Sequence, residues 1–200
     1  MSDHYYTENP GVESEEREWS FTLRGETFSF CSDRGVFSKK EVDFGSRLLI
    51  EVFRLPDING PILDIGCGYG PIGLALAKDD GGRIVHMVDV NERALELSRR
   101  NAEKNNISNI IVYKSDRLEE VVEKQFAAIV TNPPIRAGKQ VVHSIFEQAF
   151  EHLADKGELW VVIQKKQGAP SAIEKLKSHF NEVEVVEKKK GYFIIKAKKI

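Results

Sequence analysis

Residues 61–77 read PILDIGCGYGPIGLALA, and the order of residue types in this stretch decides the fold. Ile62–Ile65 is a short apolar run of the kind buried on both faces of a sheet. Gly66, Gly68 and Gly70 follow, so the chain can turn tightly and its backbone can come close to a ligand. Pro71 suits the first position of a helix, where a missing N–H costs nothing. A strand that ends on such a turn and re-enters as a helix offers free N–H groups and a partial positive charge to whatever lies beyond.

Working outward, the same alternation continues. Ile84–Val88, Ile110–Tyr113, Ala127–Thr131 and Glu158–Ile163 are predicted strands, and Pro71–Lys78, Asn91–Asn105, Arg117–Lys124 and Gln140–Ala154 are predicted helices. Short apolar strands alternating with helices predict an α/β fold, a Rossmann-like doubly wound sheet covered on both faces. The chain then reads as helix Ser171–Phe180, strand Glu182–Glu187, a Lys-Lys-Lys-Gly turn and strand Tyr192–Ala197. Two strands so close form a hairpin, which predicts an antiparallel last strand. Upstream, Trp19-Phe21-Leu23 and Phe28-Phe30 alternate around Arg24-Gly25-Glu26 and predict an N-terminal β-hairpin. Helical spacing at Phe44, Leu48, Leu49, Val52 and Phe53 follows. Residues 1–16 are polar and acidic and read as a flexible arm. Residues 17–200 then form one domain, with hairpin and helix in 17–56 and a cofactor-binding core in 57–200.

The 200 residues are 41% hydrophobic and 30% charged, an ordinary balance for a soluble globular domain. No run approaches a membrane span and the N-terminus has no apolar signal core. Cys31, Cys67 and five scattered histidines have no metal-ligand spacing, so the reading is a reduced, metal-free cytoplasmic protein. Charge is unevenly spread. Residues 1–34 hold eight acids against three arginines, whereas residues 160–200 hold ten lysines against four acids. A basic end of this kind suits either a nucleic-acid face or a solvated surface.

Asp89 lies 19 residues past Gly70 at the end of the next predicted strand, where an acid accepts hydrogen bonds from ribose hydroxyls. The loop therefore predicts a nucleotide-like cofactor. Gly68-Tyr69-Gly70-Pro71-Ile72-Gly73 also satisfies the dinucleotide fingerprint, so a nicotinamide oxidoreductase is an alternative. Asp64, at the end of the first core strand, suits a ligand with a cationic amino-acid part. Asp116, just beyond the third, is placed to receive an adenine amino group. Three carboxylates suit a cationic cofactor without pyrophosphate, and S-adenosylmethionine fits better than a dinucleotide.

The stretch IVTNPPIRAGK (129–139) holds the second signal. Two prolines after Asn132 force a stiff extended turn. With LDIGCGYGPIGLALA and VDVNERALELSRRNAEKN, this sequence resembles class I S-adenosylmethionine-dependent methyltransferases. DRGVFSKKEVDFGSRLLIE together with NPPIRAGK resembles, more narrowly, the small-domain family of ribosomal RNA (guanine-N2)-methyltransferases, over roughly residues 17–200. The resemblance implies a seven-stranded sheet with a reversed last strand. It also implies catalytic roles for Asn132, Pro133 and Pro134, whose oxygens would accept hydrogen bonds from an exocyclic amine. The implied partner is RNA of the small ribosomal subunit; a protein glutamine, a small-molecule amine and a non-catalytic binding module are alternatives. The motif departs from methyltransferases that place Tyr or Phe after the prolines. Ile135 stands there, and Phe37 supplies an aromatic surface over the substrate or packs in the core. Arg136 and Lys139 contact phosphate or solvent. Gly66, Gly68 and Gly70 complete the expected cofactor set with Asp64, Asp89 and Asp116.

Overall fold

The computed structural model describes residues 13–34, 36 and 41–200. Strands β1 (Arg17–Leu23) and β2 (Glu26–Ser32) pair antiparallel around Arg24-Gly25, both at positive φ, as a tight two-residue hairpin requires. Helix α1 (Phe44–Val52) follows, capped by Asp43, whose Oδ2 accepts the Ser46 N–H at 3.0 Å. The core then runs β3 (Ile62–Ile65), α2 (Pro71–Asp79), β4 (Val85–Asp89), α3 (Glu92–Lys104), β5 (Ile110–Lys114) and β6 (Phe126–Thr131). It closes with α4 (Lys139–His152), β7 (Leu153–Gln164), α5 (Ala169–Lys177), β8 (Glu182–Lys189) and β9 (Tyr192–Lys198).

The seven-stranded sheet has the order β5-β4-β3-β6-β7-β9-β8. Neighbours from β5 to β7 are parallel, and β9 runs antiparallel to both β7 and β8. The expected reversed last strand is present, and it is inserted inside the sheet rather than added at its edge. The residues after β3, β4, β6, β7 and β8, and those before β9, consequently share one edge. Leu49, Leu74, Leu95 and the hairpin's Phe28 and Phe30 pack on one face. Phe146, Ala149 and Leu176 from α4 and α5 cover the other.

Two expectations need correction. Arg117–Lys124 is not a helix: the segment makes turns, and Arg117 and Gln125 stand at φ 56° and 66°. A non-glycine residue at positive φ cannot continue a right-handed helix. The segment still buries Leu118 and Val121, which explains its apolar spacing. The second concerns β7, which begins at Leu153 instead of Glu158 and carries a register shift opposite Phe126 and Ala128. At Gly157 a Cβ would lie 2.8 Å from two carbonyl oxygens, so only glycine permits this approach.

Asn101 and Asn105 on α3 hold the hairpin down. The Asn101 amide accepts the Cys31 N–H at 2.7 Å and donates to the carbonyls of Cys31 and Tyr69. Asn105 bonds both the N–H and the carbonyl of Ser29. Tyr69, inside the glycine turn, packs edge-on against Trp19 and Phe30. The hairpin thereby braces the turn from outside.

Candidate active site

The glycine turn after β3 is held by two carboxylates. Asp89 Oδ2 accepts the Gly68 N–H at 2.9 Å, and its Oδ1 accepts the Asn91 N–H at 2.9 Å. Asn91 in turn caps α3, accepting from Arg93 and Ala94. Asp64 is buried, and its Oδ2 accepts the Gly73 N–H at 2.9 Å from the first turn of α2. Its Oδ1 has no hydrogen-bond partner among the described residues. Burial pushes the Asp64 carboxyl up to about 7; the Gly73 N–H opposes this and the charge of Asp89 adds to it. Asp89 is raised too, chiefly by burial, against the pull of its backbone donors. Gly70 sits at φ 104° and is closely packed: a Cβ would meet Leu74 and Met87 at 3.0 Å.

In front of the turn lies an open cleft. Gly66, Gly68, Asp89 and Asn91 line one wall, and Asn132, Pro133 and Pro134 line the other. Val36, 3% exposed, closes it from the hairpin side. Asp64 lies behind the turn rather than on the cleft. Asp116 is not among the lining residues either; at the end of β5 it pairs with Arg117 at 3.0 Å.

Asn132 is placed by the end of β6, where Thr131 Oγ1 donates to the Ile65 carbonyl at 3.0 Å and ties β6 to β3. Pro134 has φ −75° and ψ 81°, and the Ile135 N–H returns to the Pro133 carbonyl at 2.9 Å, an inverse γ-turn. That carbonyl keeps one lone pair. The Asn132 side chain is oriented from across the sheet: its Nδ2 donates to Ser46 Oγ at 3.0 Å and to Asp43 Oδ2 at 3.3 Å. A carboxylate offers only acceptors, so this contact identifies the nitrogen end of the amide. The Asn132 oxygen accepts no hydrogen bond from the described residues and stays available on the cleft wall.

Asp43 and Ser46 also line the cleft, and sequence reasoning missed both. The D-x-x-S spacing before the apolar face of α1 was readable as a helix cap. Its second task, holding an amide 86 and 89 residues away, was not. Ile135 and Lys139 face a neighbouring depression instead of the main cleft, and Arg136 is exposed. Phe37 lies outside the described residues.

A cleft with a carboxylate at the end of its second strand, a glycine turn on a helix N-terminus and mixed apolar walls fits a nucleoside carrying a cationic side chain. Asp89 retains lone-pair sites beyond those its backbone donors take, enough for ribose hydroxyls. The methyltransferase small domain family model matches residues 27–196. The chain belongs to this family. It is an S-adenosylmethionine-dependent methyltransferase. The uncharacterized protein YbxB of Bacillus subtilis is 65% identical over 201 residues, covering 100% of both chains. The ribosomal RNA small subunit methyltransferase C of Vibrio parahaemolyticus is 33% identical over 187 residues, 92% of this chain and 53% of that protein. A solved 16S rRNA N2 methyltransferase of T. thermophilus, in complex with AdoMet and guanosine, superposes with a TM-score of 0.82 at 27% identity. That match covers 96% of this chain and 52% of the other. The chain thus spans about half the length of the rRNA methyltransferases it matches. No helix among the described residues is long and apolar enough to cross a membrane.

Proposed function

We propose that this enzyme methylates the exocyclic N2 of a guanine in small-subunit ribosomal RNA. The observation that carries the reading is the fixed amide of Asn132. Asp43 and Ser46 engage its nitrogen, so its oxygen presents an acceptor on the cleft wall next to the Pro133 carbonyl. Two acceptors side by side suit an NH2 group with two N–H bonds. An aromatic amine delocalises its lone pair into the ring and is a poor nucleophile. Accepting both N–H bonds draws the nitrogen toward a pyramidal geometry and frees the lone pair on the side facing the cofactor wall. Bound S-adenosylmethionine supplies an electrophilic methyl group there. Asp89 and the Gly66–Gly70 turn would hold its nucleoside portion, and Asp64 keeps that turn in place. The protein contributes position and oriented dipoles, and the amine proton passes to water once the nitrogen has become cationic. No strong base is required.

The small-subunit rRNA substrate of the Vibrio relative and the guanosine bound by the T. thermophilus enzyme support RNA and guanine as the acceptor. A cytoplasmic location follows from a ribosomal substrate. Arg136 and Lys139 are read as phosphate contacts beside the target. The test is to delete the gene and map methylated nucleotides in total RNA by digestion and mass spectrometry. Loss of one N2-methylguanosine, restored by wild type and not by Asn132→Ala, is the expected result. An unchanged RNA profile with a methyl group missing from a protein glutamine would overturn it.

A further inference from the structure

The catalytic edge of the sheet continues past Pro134 into a basic strip that the cleft does not use. β7 ends beside β6, and the turn after it carries Lys165 and Lys166, both exposed. The Lys165 N–H donates to the Gly191 carbonyl at 2.9 Å, which seats this turn against the tip of the β8–β9 hairpin. The tip holds Lys188, Lys189 and Lys190, all exposed. Their side chains straddle the sheet. Lys188 Nζ lies 4.9 Å from the ring centre of Phe193, on the α4–α5 face, and Lys190 Nζ lies 4.9 Å from that of Phe44, on the α1 face. Phe44 adjoins Asp43, the residue that holds Asn132.

In residues 164–168 and 186–191 together, Glu187 is the only acid against these five lysines. Other lysines of the chain are matched: Lys104 with Glu18, Lys175 with Glu147, Lys196 with Glu184. None of the five makes an ion pair among the described residues. Between this strip and the Asn132 turn lies a depression floored by Ile135, Val142 and Ile163 and rimmed by Lys139, His143 and Gln167. Burial and the neighbouring charges of Lys139 and Lys175 lower the His143 pKa, so the rim's added positive charge comes from lysine.

We infer that the edge formed by Lys165, Lys166 and the Lys188–Lys190 hairpin tip is a docking strip for the RNA strand flanking the target nucleotide, its phosphates running from Lys139 across the depression to the tip. The inference rests on the RNA reading above and adds the surface that would bind the substrate away from the reacting base. Five point charges on flexible stems, with few fixed donors, suit a backbone contacted through its charge. Their common edge with Asn132 makes the contact productive: a strand held there delivers its neighbouring nucleotide to the cleft.

The test replaces the five exposed lysines with glutamine, which removes the charge and leaves a shorter polar side chain at each position. Substrate is deproteinised small-subunit rRNA from a strain lacking the gene. The expected result is a KM for RNA raised at least about tenfold at moderate salt, with kcat and S-adenosylmethionine affinity near wild type. The slope of log affinity against log salt should also flatten, by about 0.7 for each phosphate of a single strand that the variant no longer neutralises. Wild-type methylation of RNA with an unchanged KM and salt slope in the variant would overturn the strip and leave the RNA reading standing. Failure of the wild type to bind or methylate any RNA, while it still binds S-adenosylmethionine, would overturn both. Loss in the variant of binding to an acidic ribosomal protein alone would overturn the strip as an RNA dock.

Discussion

The two walls of the cleft are built in opposite ways. On the cofactor wall the two carboxylates that hold the glycine turn act over short sequence distances: Asp64 to Gly73 spans 9 residues and Gly68 to Asp89 spans 21. A single β-α-β unit therefore supplies the turn and both carboxylates, and the hairpin and Asn101 brace it from outside. On the acceptor wall Asn132 reaches 86 residues to Ser46 and 89 to Asp43, so its geometry exists only after α1 has docked on the sheet. On the function proposed above, the locally wired wall is robust and sets affinity. The wall wired through tertiary contacts can be misaligned without unfolding, and on the same reading it sets turnover.

Replacing the acceptor amide should have the largest effect. Asn132→Ala is expected to lower kcat by about 10²–10³-fold, as loss of an oriented polar group in the transition state does. Calorimetric titration should find S-adenosylmethionine affinity within about twofold of wild type. Comparable losses of turnover and affinity would erase the contrast between the walls.

Behind the cofactor wall, Asp64 predicts a pH dependence. Its folded pKa stands near 7 against a reference of 3.8, so the native state holds a proton that the unfolded state releases. Its contribution to stability is full below the unfolded pKa and is lost as pH rises through the folded one. Between pH 5 and 7 that loss amounts to roughly 2–3 kcal/mol. Asp64→Asn should remove this share of the slope while leaving that of Asp89. Urea midpoints of the ligand-free protein across that range measure it, and identical slopes in both proteins would contradict the assignment.

Asp89→Ala should weaken S-adenosylmethionine binding by roughly 10- to 100-fold, the value of hydrogen bonds to a charged group. Turnover at saturating cofactor should stay within a few-fold of wild type. A collapse of kcat at saturation would move Asp89 to the acceptor side of the comparison.

Asp43→Ala is expected to give the smallest loss, roughly tenfold in kcat, because Ser46 still holds the Asn132 amide. Removal of the cap should cost about 1 kcal/mol of stability as well. Asp43→Asn can keep an oxygen at the same point and should restore both. If it restored stability alone, with turnover still low, a neutral acceptor would be insufficient to orient Asn132.

The legibility of the chain follows the same division. Residues 61–77 announced strand, turn and helix because each residue type there answers to its immediate neighbours. The Asp89 position was readable for the same reason. Asp64 reads in sequence as a ligand contact, yet it sits behind the turn: an acid at a strand end serves equally to pin the next helix. Arg117–Lys124 had helical apolar spacing, but Leu118 and Val121 reach the core from successive turns. The roles of Asp43 and Ser46 depend on a contact that no local pattern encodes. The hairpin of β8 and β9 was evident from its turn, whereas the insertion of β9 between β7 and β8 is a property of the assembled sheet.

That insertion has a consequence for the order of events during synthesis. β7, with Leu159, Val161 and Val162 each at most 1% exposed in the finished sheet, is complete at Gln164, but the strand that pairs with its free edge ends at Lys198. At about 5–20 residues per second, the unpaired edge waits a few seconds for its partner. Over that interval the nascent chain holds both walls of the cleft beside an open apolar edge that other strands could occupy. Ribosome-bound chains halted with β7 clear of the exit tunnel and β9 still inside it should therefore be cut by protease within β7, and chains carrying β9 clear of the ribosome should resist. Equal resistance in the two would mean that β7 is covered some other way.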